Sequence, residues 1–141
     1  MNAVMPSQIE LRIPRSCEFV RVARKTAGAL AHGLQFTLHE VADIELAVSE
    51  ACTNAVEHVS EQCPEILVRF SVEAEQLVME VIDRGPGFDP TRPPESSLED
   101  EDGVGGLGLL VIRALMDELE IKCGPDEGGT RVRMVKYRKK L

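Results

Sequence analysis

Glu50, Asn54 and His58 recur at every fourth position in a stretch whose other side is apolar. On a helix this i, i+4, i+8 spacing puts them on one face, about 6 Å apart along the axis. A polar group in a core costs roughly 1–3 kcal/mol unless it is paired. Glu50 and Asn54 therefore either satisfy each other or face a ligand cavity. A carboxylate and an amide oxygen are hard donors suited to magnesium. A carboxylate beside a triphosphate can also act as a general base on an attacking hydroxyl. His58 reads as a second layer behind the pair or as a helix-end residue. His32 and His39, at a helix end and a helix start, read as structural.

A second candidate is Asp83-Arg84-Gly85-Pro86-Gly87-Phe88-Asp89, directly after the apolar run Leu77–Ile82. A carboxylate at a strand end can accept a hydrogen bond from an amine on a planar ligand. Gly85 and Gly87 lack a Cβ and let backbone approach such a ligand closely. The plain alternative is turn chemistry, with Asp83 capping its own backbone.

Gly103-Val104-Gly105-Gly106-Leu107-Gly108 leads straight into an apolar helical pattern. Unpaired N–H groups and the dipole at a helix N-terminus attract phosphate. The run lacks the Gly-Lys-Ser/Thr of a P-loop, and no βαβ unit surrounds it as a dinucleotide fingerprint requires. A flexible hinge is the alternative. Gly128-Gly129-Thr130 reads as a hairpin turn, or as a turn that also places the Thr130 hydroxyl in the same pocket.

These residues need elements to hold them. Ile9, Leu11 and Ile13 alternate with polar residues, which predicts an opening strand over Gln8–Pro14. Ser16 is suited to cap a first helix carrying Phe19, Val20, Ala23, Ala27 and Leu30, with Gly33 as its stop. Thr37-Leu38-His39-Glu40 has the capping-box pattern and opens a second helix running to about Ser60. Its stripe of Val41, Ile44, Ala47, Val48, Ala51, Ala55, Val56 and Val59 predicts deep burial. Ile66–Val72 and Leu77–Ile82, joined by Glu73-Ala74-Glu75-Gln76, predict an antiparallel hairpin. The polar segment Arg84–Gly106 is long enough to be a functional lid. Leu107–Leu119 predicts a third helix, and Glu120–Cys123 with Gly129–Tyr137 a last strand pair. The order β-α-α-β-β-loop-α-β-β predicts an α+β, two-layer sandwich: a mixed, mostly antiparallel sheet with three helices on one face.

The chain has 141 residues, 43% hydrophobic and 28% charged, which fits one domain over residues 1–141. No apolar run reaches the ~18 residues that span a bilayer. The opening residues lack signal-peptide features, so a cytoplasmic protein without membrane contact is expected. The net charge of −8 argues against direct nucleic-acid binding. Glu95, Glu99, Asp100, Glu101 and Asp102 form an acidic patch. Arg131, Arg133, Lys136, Arg138, Lys139 and Lys140 form a basic stretch, read as a solvated edge strand charged against edge pairing. Cys17, Cys52, Cys63 and Cys123 match no zinc or redox spacing, and Cys17 and Cys52 read as small buried residues.

Taken in order, these segments resemble the GHKL (Bergerat-type) ATP-binding fold over about Ile9 to Tyr137. Glu50-Ala51-Cys52-Thr53-Asn54-Ala55-Val56-Glu57-His58 looks like its N box. Asp83-Arg84-Gly85-Pro86-Gly87 looks like its G1 box, Gly106-Leu107-Gly108-Leu109 its G2 box and Gly128-Gly129-Thr130 its last box. Within that fold the chain is most similar to the anti-sigma factor serine kinases of the sporulation and general-stress type. It carries Asn54-Ala55-Val56-Glu57-His58 and Leu115-Met116-Asp117, and lacks a dimerisation and phosphoacceptor helix pair. The resemblance implies a kinase using ATP and magnesium to phosphorylate a serine of an anti-anti-sigma (STAS-domain) protein. It implies too that the protein sequesters a sigma factor, with phosphorylation switching the partner. It gives Glu50 as the base and Asn54 as the magnesium ligand. Asp83 becomes the anchor of the adenine amine, with Thr130 nearby and Gly85 and Gly87 shaping the pocket. Gly105, Gly106, Leu107 and Gly108 become the backbone around the phosphates. A homodimer through the first strand and helix is an expectation of the resemblance alone.

One departure stands out. Some members carry a lid arginine just before the glycines, where this chain has Val104 and an acidic lid. Negative charge near a triphosphate opposes binding unless metal or arginine offsets it. Arg92 or a partner's arginine is the candidate replacement. The alternative function is a catalytically weak or inactive module in which nucleotide regulates docking to a sigma factor or other target. A histidine-kinase catalytic domain is a third reading, disfavoured by the chain's own opening strand.

Overall fold

The computed structural model describes residues 7–57, 65–83, 104–124 and 129–138. Their elements are β1 (Ser7–Pro14), α1 (Cys17–Gly33), α2 (Leu38–Glu57), β2 (Glu65–Glu73), β3 (Gln76–Asp83), α3 (Val104–Leu115), β4 (Glu118–Gly124) and β5 (Gly129–Tyr137). The strands form one sheet in the order β1-β2-β3-β5-β4. Every described pairing is antiparallel, so the expected α+β sandwich holds with a more uniform sheet than expected.

Alternation along the strands sends Ile66, Val68, Phe70, Leu77, Met79, Val81, Val132 and Met134 to the helix side, where all are buried. Ile44, Ala47, Val48, Ala51 and Cys52 of α2 and Ile112 of α3 meet them. Burying one such large aliphatic or aromatic side chain stabilises the fold by roughly 1.5–3 kcal/mol. The α2 helix lies at the centre, packed against α1 on one side and α3 on the other, over β2 and β3. Its entry is a reciprocal capping box. Thr37 N–H donates to Glu40 Oε1 at 2.9 Å, and Glu40 N–H donates to Thr37 Oγ1 at 3.1 Å.

The opposite face carries a row of charge. Glu10 stands opposite Arg69, Arg69 opposite Glu80, Glu80 opposite Arg133 and Arg133 opposite Glu120, one residue from each strand. Arg69 reaches Glu10 at 2.8 Å and Glu80 at 3.3 Å. Arg131 lies 3.8 Å from Glu80, and Arg133 lies 3.6 Å from Glu118. Hydrogen bonding to Glu10 raises the Arg69 pKa above its usual value. The basic stretch therefore has a different role from the one expected. β5 is an interior strand with β4 as the edge, and Arg131 and Arg133 serve the acidic residues of their neighbours. Lys136 instead turns to the helix side and donates to the Leu115 carbonyl at the end of α3, at 2.8 Å.

Four local expectations are corrected. Ser16 occupies the N-cap of α1, but its hydroxyl makes no cap bond and lies 3.4 Å from Glu18 Oε1. Gly33 remains inside α1, and the left-handed residue that ends the helix is Gln35, at φ 67°. Gln35 N–H donates to the His32 carbonyl and Phe36 N–H to that of Ala31, the paired bonds of a Schellman closure. The third helix spans Val104–Leu115, three residues earlier at its start than expected, and Leu119 belongs to β4. Its end is set where Asp117 joins the sheet: Asp117 N–H donates to the Val135 carbonyl, and the Asp117 carboxylate accepts from Tyr137 N–H. Cys17 is exposed, whereas Cys52 is buried. Burial pushes the Cys52 thiol up to about 12, so it stays protonated and packs as a small apolar group.

Candidate functional site

The sheet brings two of the expected residues together by register alone. Asp83, last in β3, stands directly opposite Thr130, second in β5. Both fall on the helix side, in phase with Val81 and Val132. Gly129 before Thr130 has φ 138°, a conformation that side chains rarely tolerate. That geometry turns the chain into β5 with Thr130 already in place.

The helices bring the other group together. Glu50 and Asn54 are half-buried on α2, one turn apart. Gly108 of α3 is packed against both. A Cβ added at Gly108 would lie 2.9 Å from Glu50 Oε2, 3.2 Å from Asn54 Nδ2 and 3.3 Å from Asn54 Oδ1. Only glycine lets α3 come this near without displacing the carboxylate or the amide. Gly105 and Gly106 fall in the first turn of α3, where backbone N–H groups have no partner within the helix, and Leu107 follows them. Leu107 is 60% exposed, so its backbone rather than its side chain belongs with this group.

A residue that sequence reasoning missed joins the two groups. Arg15, between β1 and α1, reaches Asp83 with both terminal guanidinium nitrogens. Nη2 lies 2.5 Å from Oδ1, and Nη1 donates to Oδ2 at 3.3 Å. Nη1 also donates to the Ala55 carbonyl of α2 at 2.5 Å. The side chains are 5% and 13% exposed, so this ion pair is largely removed from water. Deleting one partner of such a buried pair costs about 3–5 kcal/mol, because the other is left charged and desolvated. The sequence carried only a faint signal: one arginine after a strand-ending proline, with no acidic neighbour to claim it. Its partner is 68 residues away and becomes adjacent only through the sheet order.

Among the described residues no group of three His, Cys, Asp or Glu converges as a metal cage. The available donors suit magnesium in its usual protein setting, one or two oxygen ligands completed by phosphates and water. The Asn54 oxygen beside the Glu50 carboxylate fits that demand. His58, Gly85, Gly87, Gly128, Arg92, Cys63, the acidic patch and Arg84–Gly103 of the expected lid lie outside the described residues. Val104, in place of an arginine, starts α3.

Residues 13–136 match the histidine kinase-like ATPase domain family. The chain is 37% identical to the serine-protein kinase RsbW of Bacillus velezensis over 92% of its length and 84% of the relative's. It is 36% identical to the protein of the same name from Bacillus subtilis, with the same coverage. It is 34% identical to that of Halalkalibacterium halodurans, over 97% of this chain and 87% of the relative. This chain belongs to the RsbW-type serine-protein kinases of the histidine kinase-like ATPase family. The expected enzyme class, a protein serine kinase, follows from that membership. No described helix is long and apolar enough to cross a membrane.

Proposed function

We propose that the chain transfers the terminal phosphoryl group of ATP to a serine of an anti-anti-sigma (STAS-domain) protein and otherwise holds a sigma factor. The observation that carries this reading is the contact of Gly108 with both Glu50 and Asn54. It brings a carboxylate, an amide oxygen and the backbone of α3 close around one point. Phosphoryl transfer needs mostly that: positioning, charge neutralisation and a base.

In this reading the adenine amine donates to Asp83, with Thr130 beside it. Gly105 and Gly106, just before Leu107, offer backbone N–H groups to the phosphates. Asn54 holds magnesium, which when bound neutralises charge on the phosphate oxygens. Glu50 accepts the proton of the substrate serine as its oxygen bonds to the terminal phosphorus, and ADP leaves with the bridging oxygen. The partners and the cytoplasmic setting rest on similarity to the named kinases.

The test is incubation with ATP, magnesium and a STAS-domain anti-anti-sigma protein from the same organism, followed by phosphoserine detection. Phosphoserine that disappears when magnesium is chelated is the expected result. ATP binding without transfer to the partner would instead identify a nucleotide-regulated binding module, the reading that Val104 in place of arginine favours.

A further inference from the structure

We propose that Arg15 is a positioning residue for the base end of the site, fixing the plane of the Asp83 carboxylate so that it prefers an adenine to a guanine base. The inference rests on reading Asp83 as the base anchor.

The argument starts from the fork. A guanidinium is planar and presents its donors at fixed angles. Here it holds both oxygens of Asp83 and, through the shared Nη1, the main chain of α2 at Ala55. A carboxylate held at both oxygens cannot rotate about its terminal bond. Ala55 directly follows Asn54, so the same fork also ties the base end to the helix carrying the phosphate-end residues. The guanidinium is the deeper partner, 5% exposed against 13% for the carboxylate. A carboxylate has about four acceptor sites, more than the two that a guanidinium fork takes.

Adenine offers an exocyclic amine to such an acceptor. Guanine has a carbonyl oxygen at that ring position, which a fixed carboxylate repels. Guanine's own donors, a ring N–H and an adjacent amine, suit a carboxylate that can turn to accept both. Arg15 denies Asp83 that turn. The preference is thus a property of the Arg15–Asp83 unit, not of Asp83 alone.

The experiment measures ATP and GTP affinities by calorimetry with magnesium, on the full chain and on Arg15→Ala, Arg15→Lys and Asp83→Asn. Arg15→Ala is expected to shrink the ATP-over-GTP preference about tenfold, equivalent to about 1.4 kcal/mol. Arg15→Lys keeps the charge without the fork and is expected to recover part of the ATP affinity but not the full preference. If Arg15→Ala fails to fold by circular dichroism, the preference is read in Arg15→Lys. A preference within twofold of wild type in every folded Arg15 variant, while Asp83→Asn collapses it, overturns the proposal. Equal weakening of both nucleotides does the same, since it marks a structural role. A preference unchanged in Asp83→Asn, or no binding of either nucleotide by wild type, overturns the base-anchor reading and the inference with it.

Discussion

The two ends of the site are built by different means. The proposed base end is a product of the sheet: Asp83 and Thr130 are neighbours in a hydrogen-bonded ladder, and Arg15 fastens the carboxylate to α2. The phosphate end is a product of helix packing, with Glu50 and Asn54 facing Gly108 across the α2–α3 contact. The anchoring of α3 is uneven along its length. Ile112 is fully buried and Lys136 holds the Leu115 carbonyl, whereas Leu107 and Leu110 near its start are 60% and 62% exposed. Segments with few buried apolar contacts open most readily. One end is thus fixed by register, and the other rests on the less anchored half of a helix. In the proposed reaction, recognition belongs to the first and chemistry to the second.

Changes at the phosphate end test that division most sharply. Glu50→Gln keeps the size and polarity of the side chain but removes the base. Phosphotransfer to the STAS partner is expected to fall at least about 100-fold. ATP affinity measured by calorimetry should stay within about twofold, and full transfer by the variant would show that Glu50 is not the base. Gly108→Ala should come next. The added methyl meets the Glu50 carboxylate and Asn54 amide, and overpacking of this kind costs roughly 1–3 kcal/mol. ATP affinity should drop about tenfold while adenosine affinity holds, because the proposed pose keeps adenosine away from α3. Equal loss for both ligands would mean that the ends are not separable.

Thr130→Val probes the base end with a residue that suits a strand as well as threonine does. Losing one hydroxyl hydrogen bond is worth about 0.5–1.5 kcal/mol, so ATP and adenosine should weaken together by about three- to tenfold. The last change is remote from both ends. Gln35→Gly relieves a left-handed residue, where a Cβ costs roughly 1–2 kcal/mol, but loosens the unfolded chain. A net gain of about 0.5–1 kcal/mol in denaturant titration is expected, with ATP affinity unchanged. A loss would assign the Arg138–Gln35 hydrogen bond more weight than its 3.4 Å length suggests.

Much of this site was legible because its signals are local. The capping box at Thr37 and Glu40 is three residues long and forms as written. The i, i+4 spacing of Glu50 and Asn54 and the strand-ending Asp83 are short-range as well. What escaped depends on distant pairing. Nothing near the Arg131–Lys140 stretch says that another strand lies outside it, so its charge pattern points to an edge strand where the sheet has an interior one. The start of α3 escaped because glycine has weak helix propensity, and the packing of Gly108 against α2 lies outside any local signal. Gln35 was hidden by Gly33, the residue that ordinarily takes the left-handed position. Arg15 was invisible for the same reason as β5: its partner is chosen by topology.

The charge row on the open face has a consequence for how the sheet assembles. In the observed register each charged residue of the row meets its opposite. A two-residue slip of β1 keeps its apolar side chains on the correct face, so hydrophobic burial alone does not forbid it. In one direction that slip sets Arg12 opposite Arg69 and strips Glu10 of its partner. A similar slip of β3 puts Glu80 opposite Leu67 or Ser71. The row is a key for strand alignment: it distinguishes arrangements that the core cannot tell apart, and it does so on the face that buries the least.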